Sequence, residues 1–117
     1  MTIHQFKRTC SECGEPFQST MAHADFCGAP CRKAWNNRRA VRGAEIYDLF
    51  MCIRHERGVA RAVKAWNLIC RLASMYRDED HRERAGRKSW RSARDVLARR
   101  PYLRATVSKI SIKRRAA

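Results

Sequence analysis

Four cysteines near the start of the chain fall into two close pairs: Cys10-x2-Cys13, thirteen intervening residues, then Cys27-x3-Cys31. Thiolates are soft ligands that suit a tetrahedral Zn²⁺ site, and two pairs separated by a loop are how a small protein supplies four of them. A module this short cannot build a deep apolar core. Metal binding then has to supply much of its folding free energy, roughly 10–16 kcal/mol apparent for structural zinc in such peptides. Four thiolates leave no open coordination position, so the expected ion is structural rather than catalytic. His23 or His4 could approach such a site, but the cysteine set is already complete. The alternative is four reduced core cysteines, which rarely fall at both spacings together.

The local sequence around the pairs indicates what carries them. Residues 6–18 read as a short hairpin around the first pair, with Gly14 allowing the positive φ that a knuckle needs. A polar loop follows over 19–25. Ala29-Pro30 starts a helix, with Pro30 at its first position, so Cys31 falls in the first turn, where the helix dipole favours a thiolate. This helix is expected to run to about Arg42, with Gly43 ending or bending it. Its inner face should hold Cys31, Ala34, Trp35 and Val41. Arg32, Asn36 and Arg39 should share an outer face, with Lys33 and Asn37 beside them.

The segments Cys10-Ser-Glu-Cys13-Gly-Glu-Pro-Phe17 and Asp25-Phe26-Cys27-Gly-Ala-Pro-Cys31-Arg-Lys resemble a treble-clef zinc finger of the FCS type. MYM-type fingers and the YacG-like DNA gyrase inhibitors are similar in this pattern. The resemblance covers residues 8–42, and Gly28 stands where the pattern has serine. It implies a zinc knuckle, a hairpin, and a helix whose first turn holds the last ligand. Members of this group include nucleic-acid binders and protein binders alike.

Beyond residue 43 the periodicity is helical. A second helix is expected over 44–57, with Ile46, Leu49, Phe50 and Ile53 as its apolar stripe and Gly58 as its stop. A third is expected over about 59–77, burying Val59, Ala62, Val63, Trp66, Ile69, Cys70, Ala73 and Tyr76. Asp78-Glu79-Asp80 should turn the chain and cap a charged helix over 80–100, supported by Glu83–Arg87 and Asp95–Arg99 pairs and stopped by Pro101. Thr106 to Ile112 alternates weakly, as a short strand or an extended arm would. The expected fold is therefore mainly α: a treble-clef module at 1–43, a three- or four-helix body at 44–100, and a basic tail at 101–117.

Charge directs attention to the partner. The chain has 26 Lys+Arg against 11 Asp+Glu, a formal net charge of +15. Four thiolates and one Zn²⁺ would lower this to about +13. Arginine supplies 20 of the 26 cations, and its planar fork reads phosphates and guanine edges bidentately. Nucleic acid is the expected partner, duplex DNA first, and no segment approaches the ~18 apolar residues of a membrane span. Met1 to Gln5 lacks the apolar core of a signal peptide, so a reducing cytoplasmic setting is expected.

Arg32 and Asn36 with Arg39 would address bases, and Lys33, Arg38 and Arg42 phosphates. Arg104, Lys109, Lys113, Arg114 and Arg115 would add affinity through counterion release. The alternative for the helix is a solvated face with no partner. Trp35, Trp66 and Trp90 could each stack bases of a single strand, but Trp66 is expected in the core and Trp35 over the knuckle, and the polar helix around Trp90 does not decide its role. Cys52, His55 and Cys70 are a conceivable second metal set but are expected to pack or cap. Consecutive carboxylates at 78–80 do not converge on one point as a nuclease site requires. No nucleophile elbow, P-loop or dinucleotide loop is present, so no enzyme is expected.

The leading expectation is a small zinc-stabilised DNA-binding protein, a transcriptional regulator or accessory factor of a bacterium or phage. A second is a regulator that docks on an acidic surface of a polymerase or topoisomerase, with Tyr47 and Met51 as anchors. RNA binding shares the same charge signature.

Overall fold

The computed structural model describes residues 4–105. Strands β1 (Phe6–Thr9) and β2 (Pro16–Ser19) pair antiparallel, with Thr9 opposite Pro16 and Phe6 opposite Ser19. The turn between them carries Cys10 and Cys13. Gly14 closes it at φ +79°, a conformation that costs glycine little, and its N–H donates to the Cys10 carbonyl at 2.9 Å.

Helix α1 (Ala29–His55) begins as the sequence predicts, with extended Gly28 before it and Pro30 in its first turn. It then runs through Gly43 without a break, where two helices were expected. A lone glycine lowers helix propensity by only about 1 kcal/mol, and the packing of α1 on α3 outweighs that. The inner face also differs from expectation. Trp35 is buried, but Ala34 and Val41 are exposed, and Arg38, Arg39 and Arg42 take the inward positions.

The turn back is made by α2 (Arg57–Ala62) and by Lys64, which adopts the left-handed conformation at φ 55°. The helix expected over 59–77 is therefore two pieces, and Gly58 lies inside α2 rather than stopping α1. Helix α3 (Ala65–Glu83) runs antiparallel to α1: Arg42 meets Glu79 and Asp80, while Glu45 meets Tyr76. Ala65 and Tyr76 are buried at this seam. Trp66, Val59 and Val63, expected in the core, are exposed, and so is Cys70.

Asp78, Glu79 and Asp80 do not cap a new helix; they lie within α3. The chain leaves α3 through Ala85 and Gly86, both at positive φ, and crosses back over the knuckle along 84–92. The helix expected over 80–100 shrinks to α4 (Ala93–Arg99), capped by the Ser92 hydroxyl, which accepts from the Asp95 N–H at 3.2 Å. The Asp95–Arg99 pair forms at 3.1 Å. Helix α5 (Tyr102–Ala105) follows Pro101. The expected strand or arm at 106–112 lies outside the described residues. No helix among those described is long and apolar enough to cross a membrane.

Candidate metal centre and the arginine frame around it

The hairpin turn presents Cys10 and Cys13, the loop before α1 presents Cys27, and the first turn of α1 presents Cys31. The four sulfurs all lie within 4.8 Å of one another. Cys13 and Cys27 Sγ are 3.8 Å apart, and Cys27 and Cys31 Sγ are 3.6 Å apart. A disulfide needs about 2.05 Å. The edge of a tetrahedron built on Zn–S bonds of 2.3 Å is about 3.8 Å. The sulfurs therefore stand where four zinc ligands stand, and a structural Zn²⁺ fits them. The Cys27 N–H donates to Cys10 Sγ at 3.4 Å, and such a bond stabilises a ligating thiolate.

The sulfurs of the cluster differ in how readily they ionise. Burial opposes ionisation of Cys10, but backbone hydrogen bonds at Cys13, Cys27 and Glu12 outweigh it and lower its pKa to about 6. Cys31 is pushed up to about 12, first by its hydrogen bond with Cys27 and then by burial and the other two sulfurs. For Cys27 the bond with Cys31 favours the thiolate, yet Cys13 and Cys10 outweigh it and the pKa rises. One thiolate forms readily and the next ones resist. A dication among them removes that resistance, which couples metal binding to proton release. His4 stacks edge-on against Phe6 and His23 is exposed; neither belongs to the cluster. Cys52 and Cys70 form no second cluster among the described residues.

Three carboxylates and one indole hold this centre to the helices. Glu12, between the first two ligands in sequence, accepts from Arg38 through both oxygens and from Arg84 at 2.7 Å. Arg84 also donates to the Ser11 carbonyl at 2.9 Å, and Arg87 to the Glu12 carbonyl at 3.2 Å. Asp25 is held by Arg99 through both oxygens at 2.8 and 3.0 Å, and by Arg91 at 3.3 Å. Asp80 is fully buried; it accepts from the Ser89 N–H and hydroxyl at 3.0 and 2.9 Å and pairs with Arg42 at 3.0 Å. Trp35 packs on Phe26, with the guanidinium carbons of Arg38, Arg39, Arg84 and Arg91 at 5.3–5.7 Å from its ring centroid. Each such cation–π contact contributes about 0.5–2 kcal/mol, depending on desolvation.

This frame divides the basic residues that the sequence singles out. Arg38 and Arg42, expected at phosphates, are bound to Glu12 and to Glu79 and Asp80 instead. Arg39, expected on the outer face, is half-buried beside Trp35 and donates to the Ser89 carbonyl at 3.4 Å. Arg32, Lys33 and Asn36 are exposed on α1, and Arg104 is exposed on α5. Lys109, Lys113, Arg114 and Arg115 lie outside the described residues. Sequence reasoning missed the hubs themselves. The one available signal was scarcity: in so basic a chain, an acidic residue inside a cysteine knuckle is surrounded by more arginines than it can refuse.

The site is a four-cysteine knuckle able to hold a metal ion, consistent with a generic structural zinc site, on a short β-hairpin in a mainly helical protein. No family model matches the chain, and no curated protein or solved structure is similar to it.

Proposed function

We propose that this is a small zinc-stabilised nucleic-acid-binding protein, with duplex DNA its first partner and transcriptional regulation its setting. The FCS-type treble-clef reading of the knuckle belongs to this proposal. The observation that carries it is the division of cations along α1. Inward Arg38 and Arg42 are neutralised by carboxylates, while Arg32, Lys33 and Asn36 stand exposed on the first turns, with no carboxylate at ion-pair distance from Arg32 or Lys33 among the described residues. Zinc and the arginine frame fix the base of that helix, so its outer face is presented rigidly to a phosphate backbone. Arg104 and the tail's Lys109, Lys113, Arg114 and Arg115 add counterion-release affinity.

A gel-shift titration with duplex DNA tests this. The Arg32→Ala/Lys33→Ala double variant is expected to bind about tenfold more weakly and to lose about two units of salt slope. Unchanged affinity and slope would place the interface elsewhere.

The exposure of Tyr47 and Met51 favours a second reading, in which an acidic protein partner docks on the middle of α1. Retention of a polymerase or topoisomerase on the tagged protein after nuclease treatment would support that reading, and release would support direct nucleic-acid binding.

A further inference from the structure

Between α1 and α3 lies an open groove of about 520 Å³, lined by Gly43, Ile46, Ala73 and Trp90, with Arg39 and Arg77 among its polar residues. That volume falls within the roughly 300–1,000 Å³ of small-ligand sites. Gly43 and Ala73 contribute almost no side chain, and a Cβ built on Gly43 meets nothing within 4 Å, so the slot is open beside the glycine. Trp90, in its lining, is 47 % exposed. Phe50, 46 % exposed, lies outside the lining but one helical turn beyond Ile46, so helical spacing puts it on the same side of α1 as the groove.

The charge at the groove is unbalanced. Among the described residues no carboxylate lies within ion-pair distance of Arg39; its partners are the Ser89 carbonyl and the Trp35 ring. Burial, and then the like charges of Arg91, Arg100 and Arg38, lower its pKa. Arg77 has only a 3.8 Å contact with exposed Asp78. One guanidinium without a carboxylate and a second held only by an exposed, weak ion pair, both beside an aromatic slot, match a ligand that joins a flat ring to an anion. A second copy of this chain would bring another formal +15 to the same place, which disfavours self-docking. Duplex bases are stacked inside their helix, whereas the bases of a single strand are free to splay onto aromatic rings.

We propose that the α1–α3 groove takes unpaired nucleobases of a single strand, stacking them on Trp90 and Phe50 while Arg39 and Arg77 meet the adjoining phosphates. This rests on the nucleic-acid reading above and adds a second, strand-selective surface to it. The shared chemistry, a base joined to a phosphate, occurs in both DNA and RNA.

The test is fluorescence anisotropy on the zinc-loaded full chain with labelled oligothymidylate, oligouridylate and a blunt duplex. The single strands are about 12 nucleotides long, within the roughly 4–16 that such sites span. Trp90→Ala and Phe50→Ala remove exposed rings, and Arg77→Gln removes an exposed charge; circular dichroism melts confirm that each variant is folded. Each aromatic variant is expected to bind single strands about 5- to 100-fold more weakly while duplex affinity stays within about twofold. A preference for oligouridylate or oligothymidylate supports the groove equally and names its source. Unchanged single-strand affinity in both folded aromatic variants would overturn the proposal, as would an equal loss for duplex and single strands. Wild type that binds duplex but no single strand sinks the groove and leaves the α1 surface standing. Wild type that binds neither sinks both.

Discussion

Glu12 meets Arg38 and Arg84 with its side chain and Arg84 and Arg87 with its carbonyl, so one residue ties the knuckle to α1 and to the segment after α3. Removing the carboxylate takes the Glu12 acceptor from two largely buried guanidiniums, which keep only part of their hydrogen bonds. Glu12→Ala is expected to destabilise the zinc-loaded protein by about 2–3 kcal/mol, read from urea unfolding. The same carboxyls give a pH dependence. Hydrogen bonds from Arg38 first, and then the charges of Arg38 and Arg84, hold Glu12 below its ordinary pKa. For Asp25 and Asp80, burial pushes the other way and the surrounding arginines, with Ser89 at Asp80, outweigh it. Groups lowered on folding stabilise fully above the unfolded carboxyl values of about 4, and that stability is lost as pH falls through the lower folded values. Thermal melts should therefore weaken progressively below about pH 4. Protonation of zinc ligands acts in the same direction, so Glu12→Gln separates the two: it should keep its zinc and show a shallower pH dependence than wild type.

At the scale of elements, the turn between α1 and α3 stores strain at Lys64, whose left-handed backbone costs an L-residue about 1–2 kcal/mol. Lys64→Gly relieves this but adds freedom to the unfolded chain. The net expectation is a gain of up to about 1 kcal/mol in unfolding free energy. A loss would show that the Lys64 side chain matters more than its backbone. The elements that were legible in the sequence are those with local chemical markers. Gly14 marked the knuckle turn, Pro30 the start of α1, Pro101 the end of the helix before it, and the cysteine spacing the metal cluster. The misread elements are those where arginine does the work of an apolar residue. Periodicity assigns the inward face of α1 to Ala34 and Val41, because Arg38, Arg39 and Arg42 look like solvent residues. The distant Glu12 and Asp80, with Trp35 one turn earlier on the same helix, turn them inward. Asp80 was misread for the same reason: three acids in a row resemble a cap, and nothing local shows that one is buried against Ser89.

At the scale of the whole molecule, the described residues form a thin body, 62 × 41 × 21 Å, with a radius of gyration of 18.2 Å against about 13 Å for a compact chain of about 100 residues. Among the described residues few apolar side chains are buried: Cys10, Trp35, Ala60, Ala65 and Tyr76. Burial of this extent cannot offset the chain entropy of about 100 residues. A metal on the four cysteines, with the charge-assisted bonds around it, would supply the difference at the knuckle end. The most direct test is to strip the purified protein with a chelator and titrate Zn²⁺ back, following metal content and far-ultraviolet circular dichroism together. The account predicts one zinc per chain, loss of cooperative unfolding without it, and full recovery at one equivalent. A chelated protein that keeps its helical signal and its melting transition, with no zinc taken up on titration, would contradict it.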